Sequence, residues 1–396
     1  MQSKLRLLGI FLFALVMAGA QTGGQQPAAK DRSAGSGDTP DVAGPLATDL
    51  SPSLTPTAIA KAMRKVGDWE LEHSQQKFSQ DWTFAALYRG LLAASDTLHD
   101  RKYKDALLAA GNQFEWKLGP RETEADDQAI GYAYLALYRE THDAKMLEPT
   151  KTQFDRLLAL PDVCTETCPE GHNQTTLRWW WCDALFMAPP VWAELAGITG
   201  NHAYLDHMDK QWWATSKLLY DPDEHLYSRD AGFLDKHEAN GKRLFWSRGN
   251  GWVIAGLALV LEQMPHNYPG RARYVQQFRE MAVKLKSIQG EDGLWRPGLL
   301  DPSAYPLPEV SGSAFYIYAM AWGIRHGLLD RATYLPAVTK GWAGLLSHVY
   351  ADGRLGSIQP IGAAPDQYKP QTSYVFGAGA FLMAGSELYQ FAESGR

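Results

Sequence analysis

Asp183 is a carboxylate set among large apolar side chains, in the run Arg178-Trp-Trp-Trp-Cys-Asp-Ala-Leu-Phe-Met-Ala-Pro-Pro. Apolar surroundings penalise the charged form and raise a carboxyl pKa, so that an aspartic acid keeps its proton near neutral pH and can act as a general acid. At the start of a helix the same residue can instead cap it. Asp126 and Asp127 open another helical stretch, where one can cap and the other can face a cavity. Carboxyl groups on neighbouring helices suggest the acid and base pair that sugar hydrolases use. The third motif is Trp246-Ser-Arg-Gly-Asn-Gly-Trp252. Its glycines permit a tight turn and close approach to a ligand, Arg248 offers a planar fork for a carboxylate, and two indoles flank it, which suits an anionic sugar. A structural turn with Arg248 bridging a helix end is the other reading. The glycine spacing matches neither the dinucleotide fingerprint nor the P-loop. The chain also lacks a Gly-x-Ser-x-Gly elbow and a His-Glu-x-x-His helix. His225, His237 and His326 are as readily surface or core residues as catalysts.

Six segments share one design, a polar or aromatic opening followed by small and apolar residues. They begin at Asp81, Asp126, Trp181, Arg248, Ser311 and Tyr374, at intervals of 45, 55, 67, 63 and 63 residues. A helix that is apolar or small nearly all round is buried on every side. Each interval leaves room for one further helix, and the stretches Thr55 to Glu72, Lys102 to Leu118, Asp143 to Leu160, His202 to Leu219, Arg271 to Gln289 and Ala332 to Tyr350 are amphipathic. In the fifth, Tyr274, Phe278, Met281 and Leu285 recur at helical spacing opposite a charged face. The pattern predicts an all-α fold, an (α/α)6 barrel of six helical hairpins, with the polar openings gathered at one mouth. Closure is favoured over an open solenoid because neither end carries a polar capping repeat.

The first twenty residues hold Lys4, Arg6, an apolar run and Ala18-Gly-Ala20, the pattern of a cleaved signal peptide. Residues 21–52 are rich in Gly, Pro, Ser and Ala, and are expected to form a disordered linker. Residues 53–396 then make the barrel. Export places the protein outside the cytoplasm, secreted or periplasmic, and no later stretch is apolar enough to span a membrane. Net charge is −6, falling to −8 without Lys4 and Arg6, which argues against nucleic acid as a partner. Fourteen Trp and eighteen Tyr suit sugar stacking, although filling a helical barrel also uses them. Cys164, Cys168 and Cys182 allow one local disulfide or free thiols. Cys164, Cys168 and His172 match no common structural zinc spacing, so neither a metal nor another cofactor is expected.

With Asp183 and the Arg248 loop in hand, the chain resembles glycoside hydrolase family 105, the unsaturated rhamnogalacturonyl hydrolases. The likeness runs from Asp81-Trp-Thr-Phe-Ala-Ala-Leu-Tyr-Arg-Gly, through Trp180-Trp-Cys-Asp-Ala-Leu-Phe-Met-Ala-Pro-Pro and Phe245-Trp-Ser-Arg-Gly-Asn-Gly-Trp, to Gly377-Ala-Gly-Ala-Phe-Leu-Met-Ala-Gly-Ser-Glu-Leu. It implies an (α/α)6 barrel that removes a 4,5-unsaturated uronic acid from the non-reducing end of lyase-made acidic oligosaccharides, of rhamnogalacturonan or ulvan type. By this resemblance Asp183 protonates C4 of the double bond and then takes a proton from the water that adds at C5. Asp126 matches the family's second aspartate, with Asp127 the adjacent register. Arg248 would bind the uronate carboxylate, while Trp246, Trp252, Asn250 and Met187 shape the pocket. Some members carry a histidine where this chain reads Leu226-Tyr-Ser-Arg-Asp230, so either Arg229 or Asp230 is expected to take that place, or the sugar recognised next to the uronate differs. A glycuronyl hydrolase acting on glycosaminoglycan fragments and a non-catalytic acidic-glycan-binding barrel are the alternatives.

Overall fold

The computed structural model describes residues 33–160 and 178–394. In chain order the helices are α1 (Pro56–Ser74), α2 (Trp82–Leu98), α3 (Arg101–Gln113), α4 (Ala125–Gln128), α5 (Gly131–Thr141), α6 (Ala144–Leu158) and α7 (Ala184–Met187). They continue with α8 (Pro189–Thr199), α9 (His202–Leu219), α10 (Ser247–Gln263), α11 (Arg271–Ser287), α12 (Val310–Arg325), α13 (Arg331–Leu346) and α14 (Val375–Glu393). Many starts are set by short polar side chains that accept a bond from the first turn: Asp81 from Thr83 N, Asp100 from Lys102 N, Asn201 from Ala203 N and Asp330 from Thr333 N.

Among the described residues α2, α5, α8, α10, α12 and α14 form a closed inner ring, each packing on the next and α14 returning to α2. The remaining long helices lie outside it, α3, α6, α9, α11 and α13 against the helices that precede or follow them in sequence and α1 chiefly against α14. The inner helices run the same way. Near their starts Trp82, Trp252, Phe186, Phe315 and Phe376 touch one another, and near their ends Arg325 pairs with Glu387 and Arg139 with Glu194. All six polar openings therefore face one mouth, as the repeat predicts.

Two inner segments differ in detail from the uniform helix expected. The stretch opening at Asp126 begins as the single turn α4 before α5, and the one opening at Trp181 begins as α7 before α8. In the second case Pro189 and Pro190 bring rings and missing N–H groups into the path, so a new helix starts with proline in its first turn.

The expected linker needs correction over its described part. β1 (Gly37–Asp38) pairs antiparallel with β4 (Ser373–Tyr374) at the start of α14. Val375 N donates to Ser36 O at 2.9 Å, and Leu46 bridges to Tyr350. This stretch is a strap held chiefly by main-chain bonds, which its Gly, Pro and Ser content does not reveal. A second small ribbon, β2 (Tyr220–Asp221) with β3 (Leu226–Tyr227), leads towards Arg229. No helix among the described residues is long and apolar enough to cross a membrane.

Candidate functional site

Asp183 sits immediately before α7, 9% exposed, and its side chain does not cap that helix. The carboxyl is therefore available for another role. An isolated bridge between Trp181 and Asp230, with Cys182 N donating to Arg229 O at 2.8 Å, fixes the 229–230 segment beside it. This places Arg229 Nε 3.7 Å from Asp183 Oδ2. The Cys182 thiol donates to the same oxygen at 3.3 Å. Burial raises the Asp183 pKa, opposed by the Arg229 charge and the thiol bond. Oδ2 thus accepts one hydrogen bond, from the Cys182 thiol, and faces the Arg229 charge across a longer ion pair.

Asp126 lies in the first turn of α4. Its carboxyl is pushed up to about 8 by burial, then by the nearby charges of Glu124 and Asp183. The two acids expected to work together do share one electrostatic field. Asp127 does not join them. It is 1% exposed and accepts from Arg121 N at 2.7 Å and Arg121 Nε at 2.9 Å, which closes the loop between Gly119 and α4. Asp127 is thus engaged in holding this loop, while Asp126 is the carboxyl that senses the charge of Asp183.

Arg229 and Asp230 both lie beside Asp183. Arg229 is about one-fifth exposed, its Nη1 donates to Asp230 Oδ2 at 2.7 Å, and its guanidinium carbon lies 5.6 Å from the Trp180 ring centroid.

The Arg248 motif is built differently from its expected role: in place of a tight turn, Ser247 to Trp252 form the start of α10. Arg248 is fully buried between Trp246 and Phe376, 4.4 and 4.8 Å from their ring centroids. Its fork points at backbone: Nη1 donates to Gln359 O at 2.6 Å and Nη2 to Pro360 O at 2.7 Å. Glu309, also fully buried, stands 3.8 Å from Nη1. Nε alone lacks a partner among the described residues. In this state Arg248 lends charge to Asp183 from behind rather than presenting a fork.

Asn250 likewise turns away from a ligand. Its amide accepts from Tyr227 N at 2.7 Å and donates to Tyr227 O at 3.0 Å, and so ties β3 to α10. Trp246, Trp252 and Met187 are 1%, 0% and 1% exposed, making them walls and floor rather than open contact surface. Trp246 Nε1 donates to Gln359 Oε1 at 2.9 Å. The half-buried aromatics at the mouth are Trp82, Trp180 and Tyr374, which residue-by-residue reading did not single out. Their signal was present in the aromatic openings of the repeats. Cys182 is buried and has no disulfide, while Cys164, Cys168 and His172 lie outside the described residues. A cavity of about 820 Å³ lined in part by Lys284, Trp295 and Arg296 lies elsewhere. Among its wall charges Lys284 pairs with Glu224 and Arg296 with Asp292.

The sequence profile of Glycosyl Hydrolase Family 88 matches residues 57–392, the whole barrel from α1 to α14. The chain belongs to that family. The profile is that of family 88, not family 105, to which the motifs were likened. A protein of Formosa agariphila, an unsaturated 3S-rhamnoglycuronyl hydrolase, is 42% identical over 351 residues, covering 86% of this chain and 93% of its own. A protein of the same name from an Alteromonas species is 30% identical over 368 residues, with 86% and 89% covered. The solved structure of a family 88 glycosyl hydrolase from Bacteroides vulgatus superposes with a TM-score of 0.78 at 29% identity, covering 85% of this chain and 99% of that one. The family 88 assignment makes this chain a glycoside hydrolase.

Proposed function

We propose that this family 88 enzyme removes a 4,5-unsaturated uronic acid from the non-reducing end of lyase-made oligosaccharides by hydrating the enol ether. The observation that carries this reading is the Asp183 carboxyl, buried and raised, with one oxygen bonded by the Cys182 thiol and facing the Arg229 charge. The acid proton passes to C4, and the positive charge that develops is shared between C5 and the ring oxygen. Water adds at C5, and its proton goes to the Asp183 carboxylate, which restores the acid. The resulting hemiketal opens and the neighbouring sugar is released, one water being consumed overall. Asp126, with its pKa near 8, stands as a neutral carboxyl beside Asp183 and can donate to substrate. Arg229 is the exposed cation for the uronate carboxylate, with Trp180 beneath it.

Finer placement in family 105 rests on the quoted motifs. The names of the Formosa and Alteromonas relatives make a rhamnose-linked uronide the substrate to try first. Action outside the cytoplasm rests on the signal-like first twenty residues. The test is loss of enol absorbance when the enzyme meets unsaturated disaccharides made by ulvan, rhamnogalacturonan and glycosaminoglycan lyases. Turnover of the rhamnose-linked compounds is expected. Turnover of glycosaminoglycan products alone would reassign the substrate, and binding without any turnover would make the barrel a glycan carrier.

A further inference from the structure

At the end of the barrel away from the acids, the inner helices enclose a second cavity of about 420 Å³. Arg89, from the middle of α2, forms part of its inner wall and is 3% exposed. Its guanidinium carbon lies 4.3 Å from the Tyr132 ring centroid and 4.4 Å from that of Phe186. Both rings lie within cation–π distance of the guanidinium. None of its three nitrogens has a hydrogen-bond partner among the described residues.

The acids around this cavity are already engaged. Glu387 accepts from Arg325 at 2.8 and 3.1 Å. Glu262 accepts from Trp322 Nε1 at 2.7 Å and lies 3.1 Å from His326 Nε2. Asp96 and Glu140 share Lys104, 2.6 Å from each, and Glu194 pairs with Arg139. Burial lowers the Arg89 pKa to about 10, so the group is still a cation at neutral pH. A buried cation is stable only when a counter-charge or hydrogen-bond acceptors meet it. Aromatic faces attract the charge but accept none of these N–H bonds in the ring plane.

We propose that Arg89 holds a small monovalent anion, a halide or a short carboxylate, inside the barrel. The guanidinium edge supplies the donors that such an ion needs. The surrounding carboxylates outnumber the cations paired with them, which disfavours a doubly charged sulfate or phosphate. Phe186 separates this position from the mouth, because its ring also packs against Trp252 at 4.7 Å. The proposal is therefore independent of the substrate reading above.

The test uses the full chain. Sodium chloride, bromide and formate are titrated at low millimolar concentration against sodium sulfate of equal ionic strength, and Tm is followed in the wild type and in Arg89→Met. A saturable rise in Tm with the monovalent anions, absent with sulfate and absent in the variant, is the expected result. A crystal grown in bromide should show anomalous density at the Arg89 edge. The same Tm rise in Arg89→Met, or no rise in the wild type, overturns the proposal. Should the variant fail to fold, the bromide crystal decides, and water alone at Arg89 overturns it.

Discussion

Asp183 and Arg229 divide the work of the mouth between a proton and a charge, and the two are separable by substitution. Asp183→Asn keeps the volume and can still accept from Cys182, but carries no acidic proton to give. We predict a fall in kcat of roughly 10²-fold or more with KM within a few-fold. Kinetics on an unsaturated disaccharide check this, and retained turnover would remove Asp183 from the mechanism. Arg229→Lys keeps the charge without the fork. If the uronate is gripped equally in ground and transition states, KM rises while kcat changes little, at a cost of about 1.5–3 kcal/mol in kcat/KM. An unaltered KM would place the carboxylate elsewhere. Asp126 supplies the pH dependence. A raised carboxyl means that the folded state favours the protonated form, so its contribution is complete below the ordinary carboxylate range and is lost as pH rises through about 8. The kcat/KM profile should therefore fall on its alkaline side near that pH, and Asp126→Asn should shift that limb. A limb that stays in place would show that Asp126 does not set it.

At the scale of elements, the helical plan was legible and several motif residues were not. Periodicity fixes which face of a helix is buried, and α9 runs over His202–Leu219 as its pattern predicts. What Arg248 and Asn250 do depends on partners far along the chain, Gln359 and Pro360 for one and Tyr227 for the other. Residue type and local spacing cannot name such partners. The strap over residues 36–47 was illegible for a similar reason, since main-chain pairing leaves no trace in composition. Asp183 was legible because its neighbours in sequence are also its neighbours in space. Asn250 makes the structural role testable. Asn250→Ala leaves the Tyr227 N–H and C=O without their side-chain partner in a buried setting, and each such group costs about 1–3 kcal/mol. A loss of about 2–4 kcal/mol in urea unfolding is expected, with KM of the remaining folded enzyme close to that of the wild type. A raised KM at unchanged stability would return Asn250 to the pocket.

The whole molecule depends on closing a ring whose first and last inner helices are far apart in sequence, and the closure is made by backbone. Where α2 crosses α14, a Cβ on Gly379 would stand 2.4 Å from Ala86 O, and one on Gly90 would stand 2.4 Å from Gly379 O. Main chain cannot swing aside as a side chain does, so any added carbon must push the two helices apart. That displacement spreads around the ring, because α14 also packs on α12 and α2 on α5. The same crossing lies below Trp82 and Phe376, which stack at the mouth. Gly379→Ala should therefore cost about 3 kcal/mol or more, the upper range for overpacking, and should lower kcat through loosened acid geometry. Gly197, on α8, is the control. A Cβ there meets Arg139 Nη2 at 3.1 Å and Gln263 Oε1 at 3.9 Å, both the far ends of long side chains. Gly197→Ala should stay within about 1 kcal/mol of the wild type, since alanine's helix propensity offsets the small adjustment. Equal losses in the two variants by denaturant unfolding would mean that glycine content in the inner helices matters generally, and that the α2 and α14 contact has no special part in closing the barrel.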